Sequence, residues 1–566
     1  MVYAPISLSV LALLATGAVA APAKRDTTST AASSTLSASP SNTIGVSVSD
    51  VYPPLNTAPN SALFPGEEQV GYQQPTPTGV EPFAIATGIA YPTRADIYPL
   101  VVPQPSSTGT QSSKKESFDI SQNWGNLSPQ YSVDSSVYGL ENATPALPEQ
   151  CDIVQFHTYF RHGARYPTTG EAPSSFAEKL HNASLAGFEA TGPLAFLNNW
   201  TYKLGAELLT PYGRLQDFKW GIAARQLYGH LLNNFTESGN LPVFRTQSQD
   251  RMIKTMDNFA AGFFGVPEFL TSFNKEIQIE APGFNATGAP YEVCPNSDNE
   301  RGSVGSTEAT RFSAPYYAKA ADRLNQYLSG NLTFDTTDVN AALQLCAYET
   351  VSLGSSEFCK LFTQEEYEVF EQAFDIQFSG NVGAQSPVSA AQGLGYLEEL
   401  VSRLEKKLIT NWDSNTNSTL DGNNVTFPLD QSVYADAAHE VAIADALTAL
   451  NLTALQEIVP TDRLSTTHSY RASRIVPFAT VLQIQVLECE PSVPTKQIRF
   501  IVNDAVIPIH DSYEGCSEDP NGLCALDTVV AALKKRIAEI DFDYDCNGNY
   551  TVPTYGAVTN GRAPRE

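Results

Sequence analysis

A largely apolar run from Ile153 to Phe160 leads without a break into Arg161, His162, Gly163, Ala164, Arg165, Tyr166 and Pro167. No other junction in the chain restricts the fold as strongly. The run reads as a buried strand, and it delivers two guanidiniums and an imidazole at its carboxyl end. In α/β proteins the carboxyl edge of the sheet is where ligand-binding groups collect, so the junction predicts an α/β sheet with Arg161, His162 and Arg165 on that edge.

Other segments fit the same plan. Leu241 to Arg245 reads as a second strand leading into Gln249 to Phe263, where Met252, Ile253, Met256, Phe259 and Phe263 recur at helical spacing. Val433 to Ala437 reads as a third strand, ending at His439 and followed by a helix from Glu440 to Leu450. Arg499 to Val502 and Ala505 to Ile507, separated by Asn503 and Asp504, read as a hairpin. Pro211 to Leu232, Ala314 to Leu328, Thr363 to Phe378 and Ala390 to Lys407 read as helices. The expected fold class is α/β: a sheet flanked by helices, with a smaller inserted helical domain over residues 265–410.

The ends of the chain differ from its middle. Ile6 to Leu14 is apolar and is followed by Ala18, Val19 and Ala20, the pattern of a secretory leader over residues 1–20. Residues 21–115 are rich in Ser, Thr and Pro, a composition that disfavours a packed core. The folded domain is expected over 116–550, with 551–566 as a C-terminal tail. The leader run is too short to span a bilayer. Eight cysteines, an even number without a CxxC pair, suit a disulfide framework in an oxidising compartment better than a zinc site. About eleven Asn-x-Ser/Thr sites agree with a secreted glycoprotein, one that could associate with a cell wall. A formal net charge of −27 argues against nucleic acid or an anionic membrane as partner, and suits an acidic medium in which carboxylates are partly neutralised.

The chemistry follows from the residue types at the junction. A phosphomonoester repels nucleophiles by its own charge, so a site that attacks it must neutralise the oxygens and hold the phosphorus in line. Arginine forks do this in bidentate fashion and stay charged, while neighbouring guanidiniums keep a histidine neutral enough to attack.

The segment from Arg161 to Pro167 fits RHGxRxP, and here the chain resembles the histidine acid phosphatases, the branch of the histidine phosphatase superfamily that includes fungal phytases. The resemblance covers about residues 150–546 and implies a phosphoglycerate-mutase-like sheet, hydrolysis of phosphomonoesters through a phosphohistidine, and no metal or cofactor. It implies His162 as nucleophile and Arg161 and Arg165 as phosphate clamp. The strand arginine Arg245, ahead of the helix pair Asp250 and Arg251, is implied as a further clamp residue. His439 is implied as a phosphate ligand and Glu440 as proton donor. The implied disulfides pair Cys151 with Cys489, Cys294 with Cys546, Cys346 with Cys359, and Cys516 with Cys524. Small phosphomonoesters or inositol phosphates are the implied substrates.

The chain departs from the resemblance in two places. The fungal branch carries His-Asp, and another branch His-Ala-Glu, where this chain has His439 directly before Glu440. Glu440 opens a helix, where the dipole favours an ionised carboxyl and works against proton donation. Fungal phytases are lysine-rich just after the signature, where this chain reads TTGEAPSSFAEK with Glu171; a broad phosphomonoesterase is expected in preference to a strict phytase. His157, His181, His230, His468 and His510 have no acid at metal-ligand spacing and read as packing residues. The rival reading is an inactive secreted or wall-bound protein that keeps the fold for binding.

Overall fold

The computed structural model describes residues 118–492 and 494–565. The leader and the Ser/Thr/Pro-rich segment lie outside the described residues.

Ten strands are found among them: β1 (Cys151–Arg161), β2 (Phe188–Ala190), β3 (Val243–Gln247), β4 (Asn274–Gln278), β5 (Leu328–Gly330), β6 (Val433–Ala438), β7 (Val481–Cys489), β8 (Lys496–Val502), β9 (Ala505–Ile507) and β10 (Cys524–Ala525). Eight form one sheet in the order β10-β8-β7-β1-β6-β3-β4, with β9 on β8, while β2 and β5 pair separately. β1, β6, β3 and β4 are mutually parallel, so their carboxyl ends share one edge. β7 returns antiparallel beside β1. The chain is thus a mixed α/β protein with a central sheet flanked by helices.

Alternation along β1 divides the core into two faces. Phe156 and Phe160 point toward the helices Pro211–Tyr228 and Asp250–Phe264, where they join Phe244, Met252, Met256, Phe259 and Phe263. Tyr159 points the other way, into a cluster that combines Ile484, Val486 and Phe500 of the sheet with Leu343, Phe370 and Leu397. Those three come from the helices Thr336–Leu353, Gln364–Asn381 and Leu394–Glu405. These helices therefore share one core with the sheet. Two of them start at capping boxes, Asp335 with Asp338 and Thr363 with Glu366, each satisfying backbone N–H groups that the first turn leaves open.

Two sequence expectations shift. β3 begins and ends two residues later than Leu241 to Arg245, because Thr246 and Gln247 are buried and continue the strand. β7 does not stand out in the sequence, although it lies beside β1 at the centre of the sheet. Its glutamines mask it: Gln483 and Gln485 are buried and hydrogen-bond with the Tyr228 hydroxyl, and Gln485 also accepts from Arg499. The hairpin between β8 and β9 turns on Asn503 and Asp504, both at positive φ (47° and 74°), a conformation that Asn and Asp tolerate.

Four disulfides join Cys151 to Cys489, Cys294 to Cys546, Cys346 to Cys359, and Cys516 to Cys524. The first ties the start of β1 to the end of β7, which face each other in register. Residues after Tyr550 lie against the domain, with Val558 and Ala563 buried and Gly561 N–H donating to the Ala384 carbonyl. Among the described residues no helix is long and apolar enough to cross a membrane.

Candidate active site

The carboxyl ends of the parallel strands converge on His162. β1 ends at Arg161, and His162 is pinned by its own N–H to the Ala438 carbonyl at the end of β6 and by its carbonyl to the Ala479 N–H. The chain turns at Gly163, which meets the first turn of the helix Pro211–Tyr228 so closely that an added Cβ would lie 2.1 Å from the Gly213 carbonyl oxygen. Only glycine permits that approach.

The imidazole of His162 is fully buried, and its Nδ1 lies 2.8 Å from the Gly163 carbonyl oxygen. A carbonyl can only accept, so Nδ1 carries the proton and Nε2 holds the lone pair. Burial is the larger reason that the ring stays neutral well below the usual histidine range, with Arg161 and Arg251 adding to it against the pull of Glu440.

Three arginines surround that lone pair. Arg161, buried, donates from Nε to Glu440 Oε2 (2.9 Å) and from Nη1 to the Asn126 and Val476 carbonyls, and lies over the Phe478 ring at 4.4 Å. Burial lowers its pKa to about 10, so it remains charged in acid or neutral water. Arg165 donates from Nη1 to the Tyr166 carbonyl and Thr168 Oγ1. Arg251 stands in the first turn of the helix that follows β3 and pairs with Glu207 at 3.0 Å. Arg161 Nη2, Arg165 Nε, Arg251 Nε and His162 Nε2 are all buried without a hydrogen-bond partner within the protein. Buried donors left in this state favour an anion with several oxygens.

Arg245, expected as a clamp residue, does not serve the pocket. It sits in the middle of β3, in register with Asp436 of β6 and Glu276 of β4. Its guanidinium is consumed by Asp436 (2.6 Å), Glu399 (2.5 Å) and Asp421 (3.4 Å). The two-residue shift of β3 explains the correction: the strand end lies past Gln247, and the arginine that follows that end is Arg251.

His439 and Glu440 stand at the end of β6, at the start of the helix Glu440–Ala449. The His439 ring meets that of His162 edge-on at 5.6 Å. A ring nitrogen of each histidine and a carboxylate oxygen of Glu440 lie within 4.8 Å of one another. Three guanidiniums around this group suit an anion far better than a cation. Glu440 Oε2 is 3.6 Å from His162 Nε2, and Oε1 accepts from Asn126 Nδ2 at 3.4 Å. Burial opposes ionisation of Glu440, but Arg161, His162 and Arg165 together hold it well below the usual carboxylate range.

Several members of the site carry no sequence signal. Asn126 touches both Arg161 and Glu440 from a segment before β1, and its burial leaves its Asn-Leu-Ser glycosylation site enclosed. Gly125, at φ 55°, brings it there; a Cβ would overlap the Phe374 side chain at 2.3 Å. Tyr348, from the helix Thr336–Leu353, is buried among Arg165, Glu171, Glu440 and Arg161, all of which act on its hydroxyl. Glu280 holds His439 Nε2 at 3.0 Å. Arg251 was legible in principle, since its helix follows a strand end.

Comparison with known proteins agrees with this geometry. The model of the histidine phosphatase superfamily (branch 2) matches residues 152–503. Phytase A of Aspergillus oryzae is 30% identical over 455 residues, 77% of this chain and 93% of the relative. Phytase A of Neurospora crassa is 28% identical over 473 residues, covering 74% and 90%. Among solved structures, the phytase from D. castellii superposes with a TM-score of 0.63 at 22% identity, covering 80% of this chain and 94% of the other, a likeness of fold.

Proposed function

The chain belongs to the histidine phosphatase superfamily, branch 2, and is a phosphoric monoester hydrolase; from its pocket we propose a secreted acid phosphatase in which His162 Nε2 takes up the phosphoryl group. One observation carries this reading. The hydrogen bond from Nδ1 to the Gly163 carbonyl leaves Nε2 as the acceptor, among three guanidinium N–H groups without partners within the protein.

In the first step Nε2 attacks phosphorus and the bond to the ester oxygen breaks, giving a phosphohistidine and an alcohol. Arg161, Arg165 and Arg251 neutralise the oxygens as charge shifts onto the leaving group. Glu440 supplies the proton to that oxygen. The ion pair with Arg161 keeps its carboxyl ionised until the phosphate draws on the guanidinium, and an acidic medium then favours the protonated form. Water attacks the phosphohistidine in the second step, with Glu440 now accepting a proton, and releases phosphate.

Relatives named phytase support inositol phosphates among the substrates. The rim supports a broader range of monoesters than phytate alone: Glu171 and Glu207 both act on Arg165, and Glu207 pairs with Arg251, where a polyanion would gain from lysines. Secretion is supported by the four disulfides, which persist in oxidising compartments. We further propose that the helices between residues 304 and 405 close the leaving-group side of the pocket through Tyr348. Phosphate release from p-nitrophenyl phosphate and from phytate between about pH 3 and pH 6 tests the reading. Turnover of the simple ester at least equal to that of phytate is expected. No release from either would replace the enzyme by the inactive binding protein.

A further inference from the structure

We propose that Glu280 is a positioning residue of this site, which fixes the orientation and tautomer of His439 so that Nδ1 of the ring faces the substrate phosphate. The inference rests on the phosphatase reading above and extends it to a residue that does not itself touch substrate.

The topology singles Glu280 out. At the shared carboxyl edge, β1 ends at Arg161 and is followed by His162, β6 by His439 and Glu440, and β3 by Arg251. β4 is the fourth parallel strand, ends at Gln278, and is followed by Glu280. That carboxylate is 5% exposed. Its Oε2 lies 3.0 Å from His439 Nε2, while Oε1 accepts from the Tyr291 hydroxyl (2.7 Å) and from Gln249 Nε2 (2.5 Å). Its own backbone N–H donates to Ser248 Oγ. Donors from two separate segments, Gln249 and Tyr291, thus hold one buried carboxylate against one imidazole.

The chemistry follows from the acceptor-only nature of a carboxylate. Burial works against ionisation of Glu280, but His439, Arg251 and Tyr291 outweigh it and keep the group below the ordinary carboxylate range. Nε2 of His439 must then carry a hydrogen, and Nδ1 is the nitrogen left for the phosphate. Without the carboxylate the ring is free to turn over or to take the other tautomer, and Nδ1 would no longer be held toward the phosphate as an acceptor. With it, Nδ1 faces the anion and can hydrogen-bond to the P–OH that a phosphomonoester retains in acid. The titratable and charged groups facing this pair are His162, Glu440, Arg251 and Tyr291, with Glu292 beyond Tyr291.

Glu280→Gln in the full chain is the test, with p-nitrophenyl phosphate as substrate and inorganic phosphate as inhibitor. The KM and the phosphate inhibition constant are expected to rise about tenfold or more with kcat changed much less. Combined with His439→Asn, the double variant should be no worse than His439→Asn alone. Should the Gln variant not fold, Glu280→Asp, which withdraws the carboxyl by one methylene, must move the same constants in the same direction. Unchanged phosphate inhibition, or additive losses in the double variant, overturns the proposal. Calorimetric binding of inorganic phosphate separates the two readings. An inactive parent sinks the phosphatase, while phosphate binding indifferent to Glu280→Gln sinks the positioning role.

Discussion

Two arginine clusters lie on the same sheet, one at its carboxyl edge and one over its face, and they do opposite things with the same functional group. At the edge, Arg161, Arg165 and Arg251 are answered chiefly by Glu440 and Glu207, and each retains a buried N–H without a partner within the protein. Over the face of the sheet, Arg245 of β3 and Arg403 of the helix Leu394–Glu405 are enclosed by Asp436, Glu399, Asp421 and Glu276, with Arg403 Nε left without a partner. Asp436 takes Arg245 Nε and both Nη groups of Arg403. The lesson is one of stoichiometry: a guanidinium outnumbered by carboxylates is a structural pin, and one left in excess is a binding group. Place on the sheet decides which: Arg245, in the middle of β3, and Arg403, on the helix Leu394–Glu405, meet over the face of the sheet, whereas residues at or beyond the strand ends face the pocket.

The largest expected effect tests the edge cluster at its centre. His162→Ala should lower turnover by more than about four orders of magnitude, because Nε2 of His162 is the nucleophile that the Nδ1 hydrogen bond orients among the guanidiniums. Melting should be little changed. Steady-state hydrolysis of p-nitrophenyl phosphate checks this, and residual activity within tenfold of the parent would move the nucleophile elsewhere.

The next test sets the clusters against each other. Arg251→Ala should reduce kcat/KM by about a hundredfold with little loss of stability, as expected for a donor that acts on developing charge. Arg245→Ala should do the reverse. Removing one partner from a buried charge network leaves carboxylates uncompensated, at a cost of about 3–5 kcal/mol, while kcat of the folded protein is nearly kept. Denaturant melts alongside kinetics separate the two. If Arg245→Ala proved stable but inactive, the division between pin and binding group would fail.

That division also explains what could be read from the sequence. The strand before Arg161 and the residues His162, Arg165, His439 and Glu440 were legible because strand ends and helix starts leave local patterns. Arg245 misled because strand boundaries are set by burial that the sequence does not display: Thr246 and Gln247 look like loop residues and are buried strand. β7 was hidden for the same reason, its buried glutamines satisfied by partners far along the chain. Asn126 and Glu280 reach the pocket only through tertiary contacts, and no spacing rule connects them to it.

A subtler test concerns the one carboxylate of the edge cluster that has chemistry to perform. Glu440→Gln keeps the side chain's size and removes its proton. Hydrolysis of alkyl phosphates, whose leaving oxygen needs that proton, should fall about tenfold or more relative to nitrophenyl phosphate, whose oxygen leaves unaided. Equal losses for both would assign Glu440 to the support of Arg161 alone.

The smallest effect belongs to the enclosed cluster and appears as a pH dependence of stability. Burial, with neighbouring carboxylates adding to it, raises Glu276 to about 7 and Asp421 to about 8, above the unfolded values near 4. In the folded state these two groups then keep their protons in acid, and Asp436 is the carboxylate that the two arginines hold ionised. A raised carboxyl contributes stability that is fully present below its unfolded pKa and is lost as pH rises through the folded value. Asp436 has the opposite sign: burial opposes its ionisation, but Arg245 and Arg403 depress its pKa, so its contribution is lost as pH falls below about 4. The melting temperature should therefore peak at about pH 4 and decline from there toward pH 8. Glu276→Gln, which fixes that position in a neutral form, should flatten the decline without touching turnover. A slope left unchanged by the substitution would mean that Glu276 is already ionised in the fold, since Asp421 alone accounts for only part of it.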